Sequence, residues 1–536
     1  MWSNIWRWSR GRRTNANRRL NTGGRGRTRQ LRGEPLEARA LLATLYVATT
    51  GSDSNPGTSD APWRTLQYAV DTIRPGDTIL VRPGTYAGFR VGKSGTATAP
   101  KVIQAENNAK VLVNQPGSAN RHQSNIEVEL FDSLVTDWVI DGFEVANSPR
   151  HGIDVRGTSR IVIQNNHVHH SVYTGIFTAF SNSPRIQRNH SESNGEHGIY
   201  HSNSADYPLV QGNLLHHNYG SGIHMNGDIS MKPGDGLISF AMIENNIIYE
   251  NGRGGGSAIN LDGVMDSTIR NNLAYNNHAS GISLFAIDGA AGSSRNRVYN
   301  NTFVMASDSR WVVNIPSSPR GKANPTGNQI QNNILYTPRT DRGSILTYGT
   351  AVSGFVSDNN VVVNRFSTNG GGKTVSLTSW QGLGYDKRSF MATPSELFVD
   401  PVNLNFRLKA GSRAIDVGAT LAQVSTDLDG VLRPQGKGFD IGCYEYRTST
   451  LALAVAANPV STNSGSLFVE PSVIAQATSL PVPRTDVTRN ALPPAPTDAR
   501  NRPTLGPLTA KQDQLEPGAV DQVLESLRMS AGATSL

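Results

Sequence analysis

Ile163-Gln164-Asn165-Asn166-His167-Val168 is answered by Ile186-Gln187-Arg188-Asn189-His190-Ser191. Val210-Gln211-Gly212-Asn213-Leu214-Leu215 and Ile243-Glu244-Asn245-Asn246-Ile247-Ile248 follow. Later copies stand at Asn271-Asn272, Asn300-Asn301, Asn332-Asn333 and Asn359-Asn360, and a divergent earlier one at Ile140-Asp141-Gly142-Phe143. The second Asn position recurs after 23, 24, 33, 26, 29, 32 and 27 residues. About nine residues after most pairs comes a Gly-Ile step, at Gly152, Gly175, Gly198, Gly222 and Gly281. A fixed period of this length marks stacked units that share one core. Each unit offers short alternating strands parted by turns that need Asn or Gly. Asn tolerates the left-handed conformation at a tight corner, and its amide can bond to the Asn one turn above. The pattern predicts an all-β solenoid of parallel strands, with rungs about 4.8 Å apart. The 33- and 32-residue units must then carry extra loops, where function concentrates.

Composition narrows the alternatives. With 53 Gly among 536 residues and 17% charged residues, the chain is poor in helix-bundle character. One cysteine, Cys443, excludes a disulfide scaffold and a cysteine-based zinc site. No run of 18 apolar residues offers a membrane-spanning helix. The net charge of +8 suggests a nucleic-acid binder, but residues 1–33 hold ten Arg and no acid, which leaves 40 basic against 42 acidic residues elsewhere. The basic character belongs to the leader, and nucleic acid is not the expected partner.

Stacked Asn ladders of this kind resemble those of right-handed parallel β-helix proteins of the pectate-lyase-like fold. The resemblance spans roughly residues 45–446. Tyr46 to Thr58, followed by Pro62-Trp63-Arg64-Thr65-Leu66, is similar to the opening of extracellular β-helix enzymes and DUF1565-type proteins. Leu66, Ala69, Val70 and Ile73 form the apolar face of a short helix expected to plug the open end of the coil. Asn405-Phe406-Arg407-Leu408, Gly411 to Asp416, Asp427 to Gly430 and Asp440 to Glu445 resemble the closing segment called choice-of-anchor Q. Asp427-x-Asp429-Gly430 lacks the ligands a calcium loop would need and reads as a turn. Leu36 to Ala43 resembles an LEPR-xLL segment, with Ala38 where that motif has Pro. The resulting organisation is a basic leader (1–44), a right-handed parallel β-helix with an N-terminal capping helix (45–400), a closing segment (401–446) and a Pro/Ser/Thr/Ala-rich tail (447–536). The expected protein is an exported or cell-surface monomer.

All twelve His fall between residues 122 and 278, nine of them within 167–224. The repeat orients them. Two positions after the second Asn stand Val168, Ser191, Leu215, Ile248, Ala274, Phe303, Leu335 and Val362, a mostly apolar column that should face the core. Alternation then places His167, His169, His190, Glu192, His216, Tyr249 and Tyr275 outside. This stripe can touch carbohydrate or move protons. A divalent metal on His167, His190 and His216 is an alternative, although their spacing is no compact zinc motif. The Gly-Ile strands present a second outward face, with Asp154, Arg156, Phe177, Tyr200, His224, Asn226, Asn260 and Asp262; His201 falls inward. The loop Gly227 to Gly236 leaves that face directly after Asn226 and holds the only Lys between 110 and 322. Asp228, Asp235 and Asp262 are a candidate calcium set.

The fold resemblance implies a long acidic polysaccharide as partner and, in many members, a lyase. Such an enzyme takes the proton beside a uronate carboxylate, expels the glycosidic oxygen and needs positive charge on the developing dianion. The implied base is His224 or Lys232. Asp228, Asp235 and Asp262 would hold calcium. Tyr200, His169, His190, Glu192, His216, Tyr249, Asn226 and Asn260 would contact the glycan. The layout is similar to polysaccharide lyase family nine, reported to pair an Asp cluster with a Lys. A glycoside hydrolase using Asp228 and Asp262 and a non-catalytic glycan-binding β-helix remain open readings. An epimerase is disfavoured, because no Asp-Pro-His motif is present.

Overall fold

In the computed structural model, residues 42–447 are described, apart from 131, 132 and 351. The LEPR-xLL-like segment, except for its last two residues, and the Pro-rich tail after residue 447 lie outside the described residues. The alternating segments form short parallel strands, most of three to seven residues. One sheet has twelve strands in strict chain order, from Gly84–Tyr86 to Phe390–Met391. The other has 23 strands, parallel apart from Thr374–Val375, which runs antiparallel to Phe366–Ser367; they form two rows bridged by the long strand Ile153–Gln164. That strand pairs with Ile176–Asn182 through its first half and with Arg185–Gln187 through its second. Every turn of the chain thus adds one strand to each row, and the core is the column of Ile, Val, Leu and Phe that points inward from all rows.

The Asn pair divides its labour. The first position takes the left-handed conformation at the corner: Asn165 has φ 55°, and Asn245, Asn271, Asn300, Asn332 and Asn359 lie between 51° and 58°. Gly212 and Arg188 occupy the same corner with φ 65° and 56°. The second position is buried. Each Asn side chain donates to the amide oxygen of the next, from Asn166 through Asn189, Asn213, Asn246, Asn272, Asn301 and Asn333 to Asn360, over 2.9–3.1 Å. The backbone N–H of each ladder residue through Asn333 bonds to the same oxygen, so the corner leaves no such group unpaired. A second ladder, not evident from the pairs, runs through Asn194, Asn218, Asn251 and Asn277 at another corner.

Helix α1 (Leu66–Thr72) is N-capped by Thr65 and buries Leu66, Ala69 and Val70 on the end of the core, as its apolar spacing predicts. At the far end, Asp386 receives the last ladder residue, Asn360, and the Trp380 indole. The segment from residue 392 to 446 folds back over the outside of the twelve-strand sheet. There Leu397, Phe398, Phe406, Leu408, Ala414, Ile441 and Cys443 bury Leu273, Tyr275, Ile334 and Val361. The corner Asn residues of these rungs anchor it: Asn271 donates to Thr426 O, Asn300 to Asp440 O, Asn332 to Ala419 O and Asn359 to Val417 O. Asp427 accepts from Val431 N and Glu445 N, which makes its segment a turn. Among the described residues no helix is long and apolar enough to cross a membrane.

Candidate functional site

The parallel register sets the first outward face. His167 pairs with His190, and His169 with Glu192, His216, Tyr249 and Tyr275 on successive rungs. Rings stack along it: His167 on His190 at 4.3 Å, His216 on Tyr249 at 4.5 Å and Tyr249 on Tyr275 at 4.8 Å. Tyr275 then disappears beneath Phe406 of the folded-back segment. His167 Nε2 lies 3.1 Å from Glu192 Oε1, and His190 Nε2 lies 2.7 Å from His216 Nε2. His170 and His217 occupy left-handed corners and meet His169 and His216 through their Nδ1 atoms. Partial burial, with the charges of His167 and His216, pushes His190 down to about 4. Burial lowers His169 and His216 too. Glu192 sits below its ordinary value: burial raises it, but the hydrogen bond with His167 and the neighbouring imidazoles outweigh that.

On the second face the columns point outward as alternation requires, yet most of their residues are covered. His224 is 2% exposed, and Asn226, Asn260 and Asp262 are also buried. Part of the cover comes from the turns just before Gly152 and Gly198. His197 packs its ring 4.7 Å from His224 and 5.3 Å from Tyr200, while His151 stacks on Phe177 at 4.4 Å. His197 Nδ1 accepts from Ser221 N, and burial together with His224 holds it well below the ordinary histidine value. His224 Nδ1 sits 3.1 Å from the Asn260 amide nitrogen. His201 points inward between Thr178 and Ala205 O, as expected, and burial pushes it to about 4. His224 is therefore a packed ring of this face, not an exposed base.

Where this face meets the long loop, Asn226 is the hub. Its amide nitrogen lies 3.4 Å from the Tyr200 hydroxyl and donates to Asp288 Oδ2 at 3.1 Å, and its oxygen accepts from Asp228 N. Ser204 Oγ pins both loop ends, donating to Gly227 O and accepting from Gly236 N. Lys232 is exposed on the loop, with Nζ 3.3 Å from Gly234 O. The calcium set is not assembled. Asp262 spends both oxygens on the N–H groups of Ile287, Asp288 and Gly289. Its burial pushes it up to about 6. Asp228 closes a turn onto Ser230, and Asp235 one onto Leu237. Each carboxylate satisfies local backbone, so the three do not form a cation cage. Among the described residues the one group of three or more His, Cys, Asp or Glu with ligand atoms within 4.8 Å of one another is His167, His190 and Glu192.

Residues 45–324, just over half of the chain, match the family described as Pel9A-like, right handed beta helix region. The chain belongs to this family. This Pel9A-like helix is 32% identical over 142 residues to pectate lyase PEL9 of Emericella nidulans, covering 24% of this chain and 34% of that protein. It is 30% identical over 143 residues to pectate lyase L of Dickeya dadantii, covering 24% and 32%. The chain thus spans about a third of the length of these curated relatives. The crystal structure of pectate lyase Pel9A superposes with a TM-score of 0.52 at 19% identity, over 75% of this chain and 96% of that one. It shares the right-handed coil that the resemblance of the Asn ladders implied.

Sequence reasoning missed the covering histidines, His151 and His197, although each immediately precedes a Gly-Ile step and aligning that step would have found them. Nothing local marks Asp288 as the partner of Asn226, 62 residues away.

Proposed function

We propose that this Pel9A-like protein is an extracellular polysaccharide-active enzyme that cleaves uronate-containing polysaccharide by β-elimination. The observation that carries the reading is the corner where Tyr200, Asn226 and Asp288 hydrogen-bond together at the root of the pinned loop bearing Lys232, in a family whose curated relatives include pectate lyases. In this reading the exposed Lys232 amine takes the proton at the sugar C5. The Tyr200 hydroxyl donates to the carboxylate as it gains charge, and the Asn226 amide, itself a donor to that hydroxyl, holds it in place. The rings of His197 and His224 pack on Tyr200, and Asn260 bonds to His224. Asp228, Asp235 and Asp262 do not fit a calcium ion as one set, so charge stabilisation is assigned to these donors.

The test is a polyuronate panel with and without a calcium chelator. The expected product carries a new double bond that absorbs in the ultraviolet. Lys232→Ala should lower the rate about 10²–10⁴-fold, the range of a lost general base. Release of reducing ends without the chromophore would replace the lyase with a hydrolase. No reaction on any polyuronate would leave the second reading, a glycan-binding β-helix. That reading is favoured by one observation: Tyr207 and Phe240, on adjacent rungs, stack at 4.9 Å while 57% and 49% exposed, and both adopt positive φ.

A further inference from the structure

Six imidazoles occupy three successive rungs of the twelve-strand sheet, at His167, His169, His170, His190, His216 and His217, with Glu192 among them. Parallel pairing holds the Cβ atoms of His167 and His190 side by side, and Glu192 lies two residues along the same strand as His190, on the same face. The His167 and His190 rings lie 6° from parallel. His167 Nε2 stands 3.1 Å from Glu192 Oε1, His190 Nε2 2.7 Å from His216 Nε2, and His216 Nδ1 3.6 Å from Glu192 Oε2. One ligand atom from each of His167, His190 and Glu192 falls within 4.8 Å of the others, and all three residues are partly exposed.

We propose that His167, His190 and Glu192, with His216 as a fourth ligand, bind a divalent transition ion of the zinc class. Tetrahedral zinc with bonds of about 2.0–2.1 Å sets its ligand atoms roughly 3.3 Å apart. The 3.1 Å between His167 Nε2 and Glu192 Oε1 is close to that value, and His190 offers a nitrogen within 4.8 Å of both; His216, whose Nε2 meets His190 and whose Nδ1 faces Glu192, turns one nitrogen toward the ion, so side-chain rotations on a rigid sheet complete the site. Imidazole nitrogens with one carboxylate select zinc, copper, nickel or cobalt over calcium and magnesium, which require oxygen cages. The ion ties three rungs together, on a different face from the Lys232 loop, so the site does not depend on the proposed lyase activity.

Calorimetric titration of the untagged full chain with zinc chloride, in excess calcium, tests the proposal. One zinc per chain at micromolar affinity or better is expected, together with a rise in melting temperature. Cobalt should give the intense visible bands of a four-coordinate ion. Glu192→Gln, which keeps the side-chain shape, and His190→Ala should each weaken zinc at least about 10-fold, the lower end for disturbing a metal's surroundings. His122→Ala, elsewhere on the coil, should leave it unchanged. Circular dichroism of each variant separates loss of a ligand from loss of fold. The proposal is overturned if zinc produces no heat and no thermal shift, if cobalt gives only the weak bands of a six-coordinate ion, or if folded Glu192→Gln and His190→Ala bind as wild type does.

Discussion

At the residue scale, the Asn ladder shows how one amide can serve four groups. Asn246 accepts from the backbone and side chain of Asn213 and donates to Val210 O and Asn272 Oδ1. Asn246→Ala strands these partners in the dry interior, and each buried unsatisfied group costs about 1–3 kcal/mol. A loss of about 3–4 kcal/mol is expected, read from the urea midpoint. The corner position predicts the opposite sign. Arg188 holds φ 56° where other rungs place Asn or Gly, and its contacts to Asn165 and Gln164 are exposed. Arg188→Asn should stabilise by about 0.5–1 kcal/mol, because Asn adopts this region at lower cost. An unchanged or lower midpoint would show that the Arg188 contacts outweigh the backbone preference.

The element scale is where loops and strands meet. The long loop from Gly227 to Gly236 is held at both ends by one hydroxyl, that of Ser204. Ser204→Ala should cost about 1–2 kcal/mol and open the loop to protease cleavage near the exposed Lys232, leaving the rungs on either side protected. Equal protection of the loop in wild type and variant would mean that Ile229 N on Asp288 O suffices to hold it. The folded-back segment behaves as an element too. Phe406 is buried against Tyr275 and Phe398, and Phe406→Ala should destabilise by about 3 kcal/mol. The same change bares part of an apolar sheet surface, so aggregation measured by light scattering should rise on warming.

Across the whole molecule, buried histidines make stability depend on pH. His201 is fully buried with its value pushed to about 4, against 6.5 in an unfolded chain. The unfolded chain therefore binds a proton first as pH falls, and the stabilisation, complete above 6.5, is lost between 6.5 and 4. The loss is about 3 kcal/mol for this one group. His169, His190, His197 and His216 shift in the same direction. Asp262, raised to about 6 by burial, has the opposite sign, adding stability as pH falls from 6 toward 3.8. Melting temperatures across this range should show wild type losing more stability than His201→Gln. Parallel profiles would rule out His201 as a source.

The coil was legible in the sequence because each rung repeats the same local solution. Asn pairs, Gly-Ile steps and alternating apolar residues satisfy corner geometry, backbone hydrogen bonds and core burial with neighbours one turn away. The same periodicity placed the His, Glu and Tyr columns on one face and turned His201 inward. Burial of the other face was not legible. Aligning the Gly-Ile steps places His197 just before one of them but does not show that its ring lies over His224, and Asp262 looks like a cation ligand until the chain returns 25 residues later to present three N–H groups. The sequence by itself determined the repeat, the inward and outward columns and the capping helix, since these follow from contacts of fixed spacing. Only the tertiary structure decided which outward residues stay accessible, because covering turns, loop anchors and the folded-back segment act across spacings that no period encodes.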